Sequence, residues 1–202
     1  MKNYTSIVPR HEEGKIIDTE SSETFSTVEE AKSFYQHARA RLMDVNNWHQ
    51  ICGTLSAKFQ LVDAAGNEVQ RPVQKQDYFK IDIPGPGPLS GHGYDWVEVE
   101  EIREVSVDDV ESIGIRVRPT SSPVNDGEDV SHFYSPDATS SFIVTREGNT
   151  VTVSVYDRNT KPNEEATGAD LLRDKAIGAG AVTIFSKLQW KALVKGILER
   201  KQ

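Results

Sequence analysis

Hydrophobic residues recur at intervals of three and four after Thr27, a spacing that is typical of a helix with one buried face. Thr27 and Glu30 predict a capping box, in which each side chain bonds a free amide at the start of the helix. We therefore expect a helix over about residues 28–43, followed by a second short helix with Asp44 or Asn46 as its N-cap. The apolar face of the first helix comprises Val28, Ala31, Tyr35, Ala38 and Leu42.

Downstream of these helices the hydrophobic spacing shortens to about two residues, which predicts strands with one buried face. A first strand is expected before the helices, around Ile16 and Ile17, and residues 147–149 predict a hairpin turn. A weaker segment over 68–74 contains a proline, which suits an edge strand or a bulge. The clearer alternating segments cover about 55–61, 79–83, 96–102, 113–117, 142–144 and 151–155.

The C-terminal segment from Asp170 to Arg200 returns to a helical spacing. Gly178 and Gly180 weaken a helix by about 1 kcal/mol each relative to alanine, so a kink or a later start is expected there. The apolar face of this long helix comprises Leu171, Leu172, Ile177, Val182, Phe185, Leu188, Leu193 and Ile197.

A segment rich in proline and glycine separates two of the predicted strands, between Ile83 and Trp96. A phosphate-binding loop would need glycine amides followed by a helix, and usually a lysine. Here the chain continues as a strand and the prolines supply no amide, so we expect a rigid hairpin connector. A loop at the mouth of a pocket, with His92 as its titratable tip, is the alternative.

The predicted order of elements is a strand, a helix, a short helix, about six antiparallel strands and a long C-terminal helix. A single sheet can bury the apolar face of that last helix by curving around it. This order resembles the helix-grip fold of the START-like, Bet v 1-like superfamily (SRPBCC), in which a curved antiparallel sheet of about seven strands grips a C-terminal helix and short helices follow the first strand. We therefore predict an α+β fold of this kind as one domain over 15–202, after a flexible N-terminal arm over 1–14. A cystatin-like fold and a closed β-barrel with a terminal helix are the alternatives.

The resemblance implies a cavity between the sheet and the C-terminal helix that takes lipids, sterols, polyketides or other apolar small molecules. We therefore interpret the chain as a small-molecule-binding protein whose partner is an apolar or amphipathic ligand. Two alternatives stay open: a cyclase-like or hydrolase-like enzyme on the same scaffold, and a protein-interaction module with a filled core. The candidate lining residues, chosen for inward periodicity and aromatic size, are Trp48, Phe59, Phe79, Ile81, Trp96, Ile115, Phe142, Phe185 and Leu188.

Composition limits the kinds of partner. A net charge of −8 argues against a surface that binds nucleic acid or an anionic membrane, since both need clustered Lys and Arg. The single Cys52 excludes an intramolecular disulfide and any zinc site built from several cysteines. The N-terminus has no apolar signal-peptide core and no stretch is apolar enough to span a membrane, so we predict a soluble cytoplasmic protein.

Candidate catalytic residues are few. An enzyme would need a titratable side chain with a shifted pKa inside the cavity, and His49, His92 and Asp82 are the weak candidates. His49 and Cys52 lie three residues apart on a short helix, which more often means a shared face than a catalytic pair. The five histidines do not show the spacing of metal ligands, so we predict no metal and no cofactor.

Overall fold

The computed structural model describes residues 3–53, 56–83, 92–124, 132–162 and 186–200. In this part of the chain, one antiparallel sheet of seven strands forms the frame of the protein. The strands are β1 (Lys15–Thr24), β2 (Lys58–Val62), β3 (Tyr78–Asp82), β4 (Asp95–Val107), β5 (Val110–Pro119), β6 (Thr139–Glu147) and β7 (Thr150–Thr160). Their order in the sheet is β1-β7-β6-β5-β4-β3-β2, so the first two strands of the sequence form opposite edges. The predicted α+β class and number of strands are confirmed.

The helices cover one face of this sheet, which we call the inner face. Between β1 and β2 the chain forms α1 (Val28–Met43), a 3-10 turn (Val45–Asn47) and α2 (Trp48–Cys52). After β7, residues 186–197 are helical and are called α3. Side chains from all of these helices and from the inner face of the sheet form one continuous core. The described elements follow the predicted order, and the helix-grip arrangement predicted for the fold is confirmed. Residues 170–185 of the predicted C-terminal helix lie outside the described residues.

The start of α1 follows the capping box that the sequence predicts. The Thr27 hydroxyl accepts a hydrogen bond from the Glu30 amide at 3.1 Å, and the Glu30 carboxylate accepts one from the Ser26 amide at 3.1 Å. The carboxylate thus bonds the amide one residue before the N-cap. The buried face of α1 consists of Ala31, Tyr35, Ala38 and Leu42.

Asp44, one of the two predicted N-caps, lies at the N-cap position of the 3-10 turn, although its side chain makes no capping bond there. Asn46, the other, is not an N-cap. Asn46 is buried and joins two other segments: its Oδ1 accepts from the Leu61 amide at 2.7 Å, and its Nδ2 donates to the Val69 carbonyl at 2.9 Å. A buried side-chain amide that makes both bonds holds the start of α2 against β2.

The segment 68–74 is not a strand, and its one ladder contact is an isolated bridge between Val62 and Glu68. The Val73 amide donates to the carbonyl of Met43 at 3.0 Å, which draws the chain across the end of α1. The proline within this segment leaves no amide for a ladder at its position. The predicted edge strand is therefore wrong, and the segment is a connection that packs against the end of α1.

Residues 3–14 run along the outer face of the sheet, opposite the helices. Ile7 is completely buried and packs with Ile143 and Tyr156. Arg116 Nη1 donates to the carbonyl of Ile7 at 3.0 Å. The sequence leads us to expect a flexible arm here; in the structure Thr5, Ile7 and Val8 are buried, whereas residues 9–14 are half-exposed or exposed. The buried part covers apolar side chains that the central strands carry on their outer face.

α3 is joined to the neighbouring helices near its C-terminal end. Arg41 Nη1, from α1, donates to the carbonyl oxygens of Ile197 at 2.7 Å and Glu199 at 2.6 Å. Carbonyls at the end of a helix lack partners within the helix and favour a cation. Gly196 lies against α2 so closely that a Cβ at this position would be 2.1 Å from Ile51 Cγ2 and 2.5 Å from the Ile51 carbonyl oxygen.

We expect Gly196→Ala to lower the free energy of unfolding by about 1–2 kcal/mol. Alanine is the better helix former by about 1 kcal/mol, but overpacking against a backbone oxygen costs about 1–3 kcal/mol and outweighs that gain. Urea-induced unfolding measures the difference. Lys195→Ala, at an exposed position of the same helix, is the control and should change stability by less than about 0.5 kcal/mol. A Gly196→Ala variant as stable as wild type would contradict the close packing of α3 on α2.

Candidate functional site

A small cavity lies between the inner face of the sheet and α3, and its volume is about 50 Å³. The strands give it an apolar wall, because every second residue of a strand points to the inner face. The residues of this wall are Phe59, Phe79, Ile81, Val97, Val117 and Phe142.

Trp48 lies behind the aromatic part of this wall and does not line the cavity. Its ring centroid is 5.3 Å from that of Phe59, 5.7 Å from that of Phe79 and 4.9 Å from that of Phe142. Edge-on and tilted contacts at these distances are the favoured arrangements of aromatic rings. The three phenylalanines are therefore held from one side by Trp48 and face the cavity with the other.

The loop before β6 closes one end of the cavity with three aromatic residues, His132, Phe133 and Tyr134. Asp95 fixes this loop by accepting from the Phe133 amide at 3.1 Å. His132 Nδ1 accepts from the Tyr134 amide at 3.0 Å, and the rings of His132 and Phe133 stack at 4.4 Å. Side chains thus accept hydrogen bonds from two backbone amides of the loop, and the rings of the loop face the cavity.

α3 covers the cavity with Ser186, Gln189 and Trp190, and each of these side chains bonds a different part of the sheet or its loops. The hydroxyls of Ser186 and Tyr134 are 3.3 Å apart. Gln189 Oε1 accepts from the Ala57 amide, just before β2, at 3.0 Å. Trp190 Nε1 donates to a carboxylate oxygen of Asp157, on β7, at 2.9 Å. Neighbouring residues of the helix therefore tie it to opposite sides of the sheet.

Asp157 is a buried carboxyl group directly behind Trp190. Burial raises the pKa of Asp157 to about 7, and the neighbouring Ser140 and Trp190 side chains and the charge of Arg158 offset this only in part. Asp157 does not line the cavity, although Ser140 and Trp190 beside it do. Its carboxyl is positioned to hold α3 rather than to meet a ligand.

The predicted lining residues fall into three groups. Phe59, Phe79, Ile81 and Phe142 line the cavity. Trp48, Trp96, Ile115 and Leu188 do not: Trp48 and Ile115 are buried elsewhere in the core, Trp96 is buried outside that core cluster, and Leu188 is 63% exposed. Phe185 lies outside the described residues.

The position of Leu188 shows why the predicted face of α3 is partly wrong. The side chains of α3 that face the sheet are Ser186, Gln189, Trp190, Leu193, Val194 and Ile197. Successive positions in this set alternate between steps of three residues and one, so that each has a partner three or four residues away, as one face of a helix requires. Ser186 and Gln189 are polar, so a pattern based on hydrophobic residues passes over them and selects the exposed Leu188 instead.

The sequence reasoning also missed the loop residues at 132–134. They lie in a stretch that is otherwise polar, and loops are expected at the surface. Three consecutive rings in such a stretch are the signal that could have indicated burial, because aromatic side chains gain most from leaving water.

The candidate catalytic residues do not enter the cavity. His49 and Asp82 line one open cleft on the surface, together with Lys58, Lys80 and Tyr94. His92 is exposed on a separate turn with a φ of 53°. Burial raises the pKa of the Cys52 thiol to about 12, so the thiol stays protonated and unreactive near neutral pH. His49 and Cys52 moreover line different surface clefts and do not face a common site.

Within the described ranges, no three His, Cys, Asp or Glu side chains converge as ligands for a metal ion. No helix in that part of the chain combines the length and the apolar character needed to cross a bilayer.

Fold and cavity together define an α+β protein in which a terminal helix closes an apolar space against an antiparallel sheet. No protein-family model matches the chain, and no curated protein matches it. Among solved structures, the chain is similar to norcoclaurine synthase from Thalictrum flavum in complex with dopamine and hydroxybenzaldehyde, with 11% identity and a TM-score of 0.36 over 93% of this chain and 88% of that one.

Two other solved structures show similarity at the same level. Major latex-like protein 151 from Panax ginseng has 12% identity and a TM-score of 0.33, over 88% of this chain and 99% of that one. A protein from Staphylococcus epidermidis, solved by NMR, has 15% identity and a TM-score of 0.31, over 94% of this chain and 96% of that one. Values this low support no statement about activity or ligand, and the strand order β1-β7-β6-β5-β4-β3-β2 defines the fold.

Proposed function

We propose that this protein binds a small apolar molecule in the cavity between the sheet and α3. The observation that carries the proposal is the cavity itself: an apolar wall with a few polar side chains gathered on the helix and loop beside it. Small-molecule sites in proteins have this composition, an apolar lining with a few placed polar groups.

The size of the cavity limits how a ligand enters. An apolar cavity of about 150 Å³ accepts benzene in other proteins, and the cavity here measures about 50 Å³. A guest with one aromatic ring must therefore widen the space. The side chains able to yield are those of α3, because Ser186, Gln189 and Trp190 hold the helix through single hydrogen bonds. Ligand binding is accordingly expected to move α3 away from the sheet.

A cavity-filling substitution tests the proposal. Val117→Phe adds a ring to the apolar wall and should reduce the affinity for toluene or α-methylstyrene by at least about tenfold, since the same volume is then occupied by protein. NMR titration of the wild-type and variant proteins measures the affinity. Val107→Phe is the matched control, because Val107 is exposed and lies at the far end of β4, and it should bind as wild type does. Equal binding by all three proteins, or no binding to wild type, would rule out the cavity as the site.

The alternative of a protein-interaction module predicts a filled core and an exposed apolar patch. Large hydrophobic residues that are exposed in the described part of the chain are Tyr4, Ile16, Val107, Val124 and Leu188. They belong to five different segments, and single exposed apolar residues are ordinary on protein surfaces. The cavity therefore gives better support to ligand binding than this surface gives to a protein partner.

A further inference from the structure

Gln189 places a buried side-chain amide in the wall of the cavity. Gln189 is only 5% exposed, and its Nε2 has no hydrogen-bond partner among the residues that the structure describes. We propose that the ligand presents a neutral hydrogen-bond acceptor, such as a ketone, ester or ether oxygen, to Gln189 Nε2, a proposal that rests on the function proposed above. A buried donor without an acceptor is destabilising, and an occupant that accepts its hydrogen removes that penalty.

The orientation of the Gln189 amide is fixed by its neighbour. The Ala57 amide can only donate, and it lies 3.0 Å from Gln189 Oε1. Exchanging the oxygen and nitrogen of the side chain would bring two donors together. The NH₂ group is therefore held at the other position, with both of its hydrogens available, on a side chain that lines the cavity.

The remaining lining favours a neutral and flat ligand. It contains no Lys, Arg, Asp or Glu among its described residues, so a charged group would be buried without a counter-ion. His132 accepts at Nδ1 from the Tyr134 amide, which requires an unprotonated Nδ1 and thus a neutral ring. The rings of Phe59, Phe79 and Phe142 favour an aromatic or otherwise planar apolar body.

Acetophenone and α-methylstyrene test this assignment, because they share one shape and only the ketone has an acceptor oxygen. Wild-type protein should bind acetophenone about 5- to 10-fold more tightly than α-methylstyrene. Gln189→Met keeps the length of the side chain and removes the donor, so the preference should disappear while α-methylstyrene binds within about twofold of wild type. NMR titration gives both affinities, and the side-chain NH₂ signals of Gln189 should move downfield with acetophenone, as a hydrogen bond to the ketone requires, relative to their positions with α-methylstyrene.

Gln189→Glu is the second variant, since it retains an acceptor oxygen for Ala57 and its buried carboxyl, without a counter-ion in the lining, stays protonated and places an O–H donor where the NH₂ group was. It should therefore keep the preference for acetophenone that Gln189→Met loses. If wild type binds neither probe, the proposed function fails and this assignment fails with it. If both probes bind but the affinity ratio is the same in wild type and in Gln189→Met, the cavity binds ligands and the role of Gln189 is overturned.

Discussion

Trp48→Ala is expected to lower the free energy of unfolding by about 3–5 kcal/mol, the usual range for removing a fully buried large aromatic side chain. Trp48 is completely buried and contacts the rings of Phe59, Phe79 and Phe142. Its loss would leave a hole between α2 and the wall of the cavity, and all three phenylalanines would lose the surface that holds them. Urea-induced unfolding measures the change, and a loss below about 1 kcal/mol would contradict the packing described here.

Trp48 has a second role that a control variant separates from packing. Its Nε1 is 3.2 Å from the carbonyl oxygens of both Arg41 and Leu42, which lie in the last turn of α1 and lack partners within the helix. Trp48→Phe keeps most of the ring and removes this donor. We expect it to cost about 1–2 kcal/mol, clearly less than Trp48→Ala. Equal losses for the two variants would mean that the hydrogen bonds, and not the packing, dominate.

The case of Trp48 also shows how far the sequence could predict the site. Inward periodicity and aromatic size correctly indicate that Trp48, Phe59, Phe79 and Phe142 are buried. They do not distinguish a residue that lines a cavity from one that packs behind it. That distinction depends on how the sheet and the helices are spaced, which arises only when distant segments meet.

The fold was more predictable than the site, because it follows from local signals in a definite order. The capping box at Thr27 and the two-residue spacing of the strands each act over a few residues. The polar residues that close the cavity gave no such signal. Ser186 and Gln189 occupy inward positions of α3, and a pattern of hydrophobic residues does not predict polar residues there. Their hydrogen bonds to Tyr134 and Ala57 join segments that are far apart in the sequence.

The contribution of Asp157 to the stability of the wild-type protein is expected to fall as the pH rises from about 4 to about 7. The ordinary pKa of this carboxyl is 3.8, and burial raises the pKa to about 7 in the folded protein. The folded protein therefore binds the Asp157 proton more tightly than the unfolded chain does. The stabilisation that this proton provides is complete below the pKa of the unfolded chain and is lost as the pH rises through the pKa of the folded protein. The loss can reach about 3–4 kcal/mol. Ionisation also favours any displacement of α3 that lets water reach Asp157, so the cavity is expected to open more readily above neutral pH.

Asp157→Asn removes this dependence and leaves the contact with α3 in place. Asparagine keeps an acceptor oxygen for Trp190 Nε1 and does not ionise. The free energy of unfolding of the variant minus that of wild type should increase by about 3 kcal/mol from about pH 4.5 to about pH 8. Arg158 and Asp18, the charged residues beside Asp157, are unchanged in the variant, so their titration cancels in the comparison. Urea unfolding of both proteins at the two pH values gives the result. Parallel losses of stability in wild type and variant would show that the Asp157 carboxyl is already ionised in the folded protein at the lower pH.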